Sequence, residues 1–423
     1  MPHDLPTSAP GRAADRGLRD LLAAALAGEG TLDLTGRTPQ LVPRDPAGHA
    51  APAAVLVATS GSTSGRPDRI AITASAIRAS VAATQEALGG PGAWLLTLAP
   101  DHIAGLMVLA RGLLGGGPVT HAAPGPFRPD SFVRDAERLA ATAPGARRYV
   151  SLVPTQLRRV LSDPAARESA AGFEAILVGG SATPPAMLEQ ARAAGLAVVT
   201  TYGMTETCGG CLYDGVPVGA ARADLIDPDR DGAGRIVLRG PQVALGRLAS
   251  DGALLPFHGE VVTADRGRWE RGADGVRRLR VLGRIDEVIL SGGLNVDPHQ
   301  VADVITRLDS VAEACVVGVP DPEWGQRVVA VVVPAATPHA LTGSAGSLPD
   351  DVRAVCAAAL PRGWAPQEVL VTDHLPTRGP GKVDRRAVAA YAVARLQGES
   401  RAASEDVTAE VSAPRDEESQ RTN

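Results

Sequence analysis

Lysine is almost missing from this chain: of its 42 basic residues one, Lys382, is a lysine and the rest are arginine. A compact ammonium and a planar guanidinium are not interchangeable, so a lone lysine in an arginine-based chain marks either a position where arginine cannot serve or a chance survivor. Charge of one sign is also lacking. The formal net charge is −5 and acidic and basic residues are mixed along the chain, so no basic stripe exists to hold a polyanion, and nucleic acid is excluded as an expected partner. Long apolar runs are absent too. Stretches such as Val328 to Ala336 fall short of the ~20 residues that span a bilayer. Met1 to Arg12 carries Pro and Asp where a secretory signal needs an apolar core, so a cytoplasmic, membrane-free setting is expected. Cysteine is scarce: four in 423 residues, with Cys315 and Cys356 inside apolar runs, do not make a disulfide framework. Cys208 and Cys211 have C-x-x-C spacing, but no second ligand pair accompanies them and Gly209 and Gly210 suit a loop.

What is present is a globular composition, 44% apolar and 21% charged, with two or three domains expected at this length. From Ala53 to about Met204, short β-rich runs alternate with helical spacing. Val55 to Thr59, Trp94 to Leu98, Tyr149 to Val153, Ala175 to Val178 and Ala197 to Thr201 read as buried strands. Ile103 to Leu114, Ser131 to Ala141, Thr155 to Leu161 and Pro184 to Ala194 read as helices. This alternation predicts an α/β fold with a parallel, doubly wound sheet, and the loops after Val57, Val153, Val178 and Thr201 should then converge on one site. From Gly234 to Gly283 short strands with Asp-Gly turns predict a small β-rich subdomain. After Arg284 a helix capped by Asp297 and begun by Pro298 opens a small α+β domain. The expected boundaries are 1–285 for the large N-terminal domain, 286–390 for the C-terminal domain, and 391–423 for a disordered polar tail.

Four loops carry chemistry-bearing residues. Thr59-Ser60-Gly61-Ser62-Thr63-Ser64-Gly65-Arg66-Pro67 follows a buried strand, and its hydroxyls and backbone N–H groups suit phosphate oxygens; the other reading is a flexible Ser/Gly linker. It lacks the Gly-Lys-Ser/Thr of a Walker loop. Thr200 to Thr207 ends another strand, and Glu206 there suits a magnesium ion shared with phosphates, or is a solvated loop carboxylate. Val281 to Glu287, with Ser291-Gly292-Gly293-Leu294-Asn295, marks the domain junction, and Thr377 to Arg385 places Lys382 on a Gly/Pro-rich loop.

In this order and spacing the loops resemble the superfamily of acyl-CoA synthetases, peptide-synthetase adenylation domains and luciferases, over about Ala53 to Val388. The resemblance implies a small mobile C-terminal domain and ATP, Mg2+ and coenzyme A as cofactor and co-substrates. It gives the triphosphate to Thr59, Ser60, Gly61, Ser62, Thr63 and Gly65, the adenine to Gly179, Gly180, Ser181, Tyr202 and Gly203, and the phosphates and magnesium to Thr205 and Glu206. Asp265 with Arg284 takes the ribose, Asp286 the hinge, Lys382 the adenylation step, and the face holding Gly292 and Gly293 the thiol path. Within the superfamily Ser151 to Leu157, Ile176 to Gly180 and Tyr202 to Cys208 resemble o-succinylbenzoate–CoA ligases of menaquinone biosynthesis. That resemblance makes Arg159 and Thr155 candidates for the acid substrate and His102 a neighbour of the acyl pocket; a solvent-facing Arg159 and a structural His102 are the competing readings.

Two departures stand out. The family loop ends in a lysine where this chain has Asp68, whose charge repels triphosphate unless Arg66 or Arg69 turns inward. The segment before the loop is shorter than in most relatives, so part of the usual N-terminal sheet is expected to be missing or supplied by a partner subunit, as in a homodimer. The rival functions are ligation of another aryl or acyl acid, transfer to a carrier protein, and a silent nucleotide-binding homologue.

Overall fold

The computed structural model describes residues 10–43, 52–59, 68–335, 347–378 and 382–397. Cα packing divides the chain into two units, Met1–Asp286 with Arg378–Lys382, and Glu287–Thr377 with Val383–Asn423.

The central sheet of the first unit runs Val216–Pro217, Gly209–Tyr213, Val198–Met204, Ala175–Val178, Arg148–Leu152, Ala93–Leu96, Val119–His121. The last five of these strands are parallel to their neighbours and the first two antiparallel. Alternate side chains decide how it is covered. Trp94, Leu96, Tyr149 and Leu177 join Leu106 and Leu109 of the helix Ile103–Gly115 on one face. Leu95, Val150, Leu152, Ile176 and Val178 join Phe132, Leu139, Leu157 and Ala191 of the helices on the other. Both faces are therefore wound with helices, as the apolar runs of the strands require. Each fully buried Leu or Ile stabilises this core by about 1.5–3 kcal/mol. The helices Pro129–Thr142, Pro154–Ser162, Pro164–Ala171 and Pro185–Ala193 each begin with a proline, whose fixed φ suits a first turn that has no N–H partner to lose.

One expectation is corrected. The strand Ala53–Ala58 is not in the doubly wound sheet. It belongs to a six-stranded sheet ordered Leu254–Pro256, Gly246–Leu248, Arg69–Thr73, Ala53–Ala58, Thr31–Asp33, Gln40–Val42. Only its pairing with Thr31–Asp33 is parallel; Arg69–Thr73 returns beside it as the second arm of a hairpin. A buried apolar run specifies a strand but not which strand lies beside it.

Four antiparallel strands, Arg222–Ile226, Ala233–Arg239, Glu260–Arg271 and Arg277–Arg284, form the β-rich part. Ile236, Leu238, Leu279 and Ala223 pack inward with Leu212. Arg239 pairs with Asp224 and Glu260, and Arg268 with Glu270, in exposed pairs that contribute about 0–1 kcal/mol each.

In the second unit Asp297 accepts from the N–H groups of His299 and Gln300 and caps the helix Pro298–Ile305. Val311–Asp321 and Gly325–Pro334 form a hairpin, with Glu368–Val371 parallel along the second arm and the helix Leu348–Ala359 packed on one face. The other face is covered by the helix over 385–397, whose Val388 and Ala392 are fully buried. A boundary at 390 thus falls inside a helix: small Ala and Val residues that read as tail-like in composition fill a core here. Residues 398–423 lie outside the described residues.

Candidate active site

Where the parallel strand Ala175–Val178 ends, Gly179 and Gly180 turn the chain. A Cβ on Gly179 would meet Thr201 Oγ1 at 2.2 Å, and Gly180 has φ +86°, so only glycine fits either place without strain. Ser181 follows at the same strand end. One strand over, Gly203 lies against the backbone of Gly209: a Cβ there would meet its carbonyl oxygen at 2.0 Å. The chain then makes the single turn Thr205–Thr207, locked by the Thr207 hydroxyl, which accepts from Met204 N–H at 3.0 Å and lies 2.9 Å from the Gly209 carbonyl.

Tyr202, on Val198–Met204, donates its hydroxyl to Asp265 Oδ2 at 2.6 Å. Burial, reinforced by the Asp265 charge, pushes the Tyr202 phenol well above its ordinary pKa, so it stays protonated and a donor. Asp265 is opposite Arg284 in the strand ladder, with Arg284 Nη1 3.7 Å from Asp265 Oδ1. Its own N–H donates to Thr263 Oγ1 at 3.0 Å, and that hydroxyl donates to Ile236 O at 2.9 Å. Arg284 also makes a bidentate contact with Asp286, Nε at 2.9 Å and Nη2 at 2.8 Å. A carboxylate held by a tyrosine and faced by an arginine suits a pair of neighbouring hydroxyls.

Glu206 is half-buried, and its backbone carbonyl accepts from Ala244 N–H at 2.8 Å. Burial raises the carboxyl pKa above the usual range; Asp68 and Asp265 add repulsion and Arg247 opposes it. A partly desolvated carboxylate among other carboxylates is what a divalent cation would relieve. Among the described residues no group of three or more His, Cys, Asp or Glu is placed to hold a metal by itself. Glu206 therefore fits magnesium in the mode that takes its remaining ligands from water and substrate phosphates.

Of the Ser/Gly loop only the two ends are described. Thr59 N–H donates to Asp68 O at 2.8 Å and Asp68 N–H to Thr59 Oγ1 at 3.1 Å, while Arg247 Nη1 lies 3.5 Å from Asp68 Oδ2. Ser60, Gly61, Ser62, Thr63, Ser64, Gly65 and Arg66 lie outside the described residues. Arg69 Nη2 is directed at Ala249 O, 3.5 Å away. Lys382 opens the strand Lys382–Val383, which pairs with Thr377–Arg378; its side chain lies outside what is described.

His102 precedes the helix Ile103–Gly115 and makes no side-chain cap bond. Thr155 is half-buried in the first turn of Pro154–Ser162, and Arg159 on the same helix is exposed, with Nη1 donating to Phe127 O at 2.8 Å. In the second unit Gly292 and Gly293, with φ +55° and +78°, turn the hairpin between Ile289–Ser291 and Leu294–Val296, and a Cβ on Gly292 would meet the Trp324 ring at 2.6 Å. Cys208 and Cys211 are buried, and burial raises both thiols, Cys211 to about 12. The contact of Arg247 with Asp68 carries no sequence signal, because strand pairing, not spacing, brings the two together. Thr263 has a weak one, its place two residues before Asp265.

The sequence signature of AMP-binding enzymes matches residues 14–248, and that of the AMP-binding enzyme C-terminal domain matches residues 300–382. The probable 2-succinylbenzoate–CoA ligase of Mycobacterium tuberculosis is 40% identical over 351 residues, 82% of this chain and 85% of that protein. The sulfoacetate–CoA ligase of Cupriavidus necator is 33% identical over 78% of this chain and 66% of that protein. The o-succinylbenzoate CoA synthetase of Bacillus subtilis, solved with the acyl-adenylate intermediate OSB-AMP, superposes with a TM-score of 0.64 at 26% identity, covering 79% of this chain and 69% of that one.

Proposed function

The chain belongs to the family of AMP-binding enzymes, and from that premise we propose that it activates 2-succinylbenzoate with ATP and passes the acyl group to coenzyme A. The observation that carries the reading is the Tyr202–Asp265–Arg284 arrangement beside Glu206, in a chain 40% identical to a probable 2-succinylbenzoate–CoA ligase.

A carboxylate resists nucleophilic attack and its charge repels ATP, so the site must lower both barriers. In this reading Gly179, Gly180, Ser181, Tyr202 and Gly203 border the adenine, and Asp265 accepts the ribose hydroxyls. Thr59, Thr205 and the Ser/Gly loop donate to phosphate oxygens. Glu206 would hold magnesium, which when bound neutralises phosphate charge. The Lys382 ammonium stabilises charge developing between the acid and the α-phosphate, and pyrophosphate leaves as the acyl-adenylate forms. The coenzyme A thiol then attacks the acyl carbon and releases AMP, with Gly292 and Gly293 on its path and Asp286 as the pivot between the two steps. Arg159 and Thr155 are assigned to the acid, with His102 beside its acyl part. A cytoplasmic setting and a homodimer complete the proposal, and sedimentation reads the second directly.

Ligation of a different acid is the second reading, favoured by the likeness to a sulfoacetate–CoA ligase. Trapping the acyl-adenylate with hydroxylamine across a panel of aryl dicarboxylic, aliphatic and sulfonated acids separates the two. The first requires 2-succinylbenzoate to give the highest hydroxamate yield at equal concentration, and a higher yield from another acid replaces it.

A further inference from the structure

Arg111 lies in the helix Ile103–Gly115, which covers one face of the central sheet, and only 5% of it is exposed. Its guanidinium stacks on Trp94, with Cζ 5.0 Å from the ring centroid, and Trp94 is tilted against Tyr149 in the core. A guanidinium keeps its charge in a protein, so burial cannot be answered by releasing the proton. Buried charges are therefore paired or fully hydrogen-bonded as a rule. Among the described residues Arg111 has neither kind of partner. Nε is buried without an acceptor, and no carboxylate, carbonyl or hydroxyl oxygen is bonded to the rest of the group. Burial pushes its pKa down, as expected of a charge that its surroundings leave uncompensated.

The neighbours show why the protein supplies no counter-charge. Tyr213 is the ionisable side chain that bears on Arg111. Thr84 Oγ1 donates to Ser80 O at 2.9 Å, so in the 2.9 Å contact between Thr84 Oγ1 and the Tyr213 hydroxyl it is Tyr213 that donates. A phenol that holds its proton brings no negative charge. Trp94 presents the negative face of its ring, which offsets part of the charge. The remaining exposure then decides what completes the site. Nε is enclosed, so only the terminal nitrogens can be reached, and 5% exposure admits water or an ion of a few atoms while excluding a nucleotide or a peptide.

We propose that Arg111, seated on Trp94, is the binding site of a small monovalent anion, chloride or a short carboxylate such as formate, held by the terminal N–H groups of the guanidinium. Charge-assisted hydrogen bonds of this kind are strong, and the low dielectric around a buried group strengthens them further. Tyr213 is opposite Thr201 in the strand ladder, next to Tyr202, so the ion braces the helix and strand pair that carry Tyr202. The inference stands whether or not the chain adenylates an acid.

The test is thermal unfolding of the full chain at fixed ionic strength, with sodium gluconate replaced stepwise by sodium chloride or sodium formate, for wild type, Arg111→Met and Arg111→Gln. Gluconate is too large to enter, and fixed ionic strength holds general screening constant. Wild type should gain about 1–3 °C in Tm over Arg111→Met once the small anion exceeds its Kd several-fold. A bromide-soaked crystal of the wild type should show anomalous density beside the terminal nitrogens of Arg111. Equal responses of wild type and Arg111→Met overturn the proposal, and if neither responds, water alone meets the charge. A bromide crystal without density at Arg111 overturns it as well. Where Arg111→Met fails to fold, Arg111→Gln and the bromide crystal carry the comparison.

Discussion

Glu206 carries opposed demands in one side chain. Burial holds its carboxyl above the usual carboxylate range, 4.5 in the unfolded chain. A carboxyl whose pKa is raised by folding costs stability when ionised: the cost is absent below the unfolded pKa, grows as pH rises through the folded pKa, and is complete above it. Glu206→Gln should therefore raise Tm at pH 8, with the gain shrinking toward pH 4, while adenylation falls if Glu206 is the magnesium ligand proposed above. A Tm at pH 8 equal to or below that of wild type would contradict the burial argument. Lys382 belongs to the same scale. Its replacement by Ala should cut adenylation by about 10²–10³-fold, the usual loss for one preorganised donor, while thioester formation from preformed acyl-adenylate survives much better. Equal loss in both half-reactions would remove the assigned role. Tyr202, Asp265 and Arg284 were named from the sequence only through the family resemblance of the stretches that hold them. Arg247 was not, since its partner comes from a remote strand and no local pattern announces the pairing.

At the level of elements, glycines set how closely the strands carrying the site approach. Gly203 opposes Gly210 across the Val198–Met204 and Gly209–Tyr213 pair, and the Gly209 carbonyl occupies the space a Cβ would need. Gly203→Ala should cost about 1–3 kcal/mol in denaturant unfolding, the range for an overpacked site, and should weaken ATP binding by displacing Tyr202. Gly195, left-handed but with open space around its Cβ position, is the control: Gly195→Asn should cost less than half as much. An equal cost at both positions would show that crowding at Gly203 is relieved by movement of the strands. The parallel strands and their helices were legible because apolar runs and proline-led helix starts are local signals. The six-stranded sheet was not, because the strand Ala53–Ala58 looks like its doubly wound neighbours until the return strand Arg69–Thr73 is seen beside it. The helix over 385–397 was divided by composition alone, and only its packing shows Ala392 to be core.

Across the whole molecule, composition excludes more than it assigns. Charge of both signs is mixed at net −5, and among the described residues no helix is long and apolar enough to cross a membrane. The chain forms two units with separate apolar cores, the first holding Tyr202, Asp265 and Glu206 and the second the Gly292–Gly293 hairpin. The central claim is that this molecule consumes ATP to make an acyl-CoA thioester by way of an acyl-adenylate. The direct measurement mixes full-length protein with ATP, magnesium and 2-succinylbenzoate, follows pyrophosphate, then adds coenzyme A and follows AMP and the thioester by mass. The account predicts acid-dependent pyrophosphate release before coenzyme A is added, and one thioester per AMP after it. ATP binding without pyrophosphate release, for 2-succinylbenzoate and every other acid supplied, would contradict it and leave a nucleotide-binding protein without this chemistry.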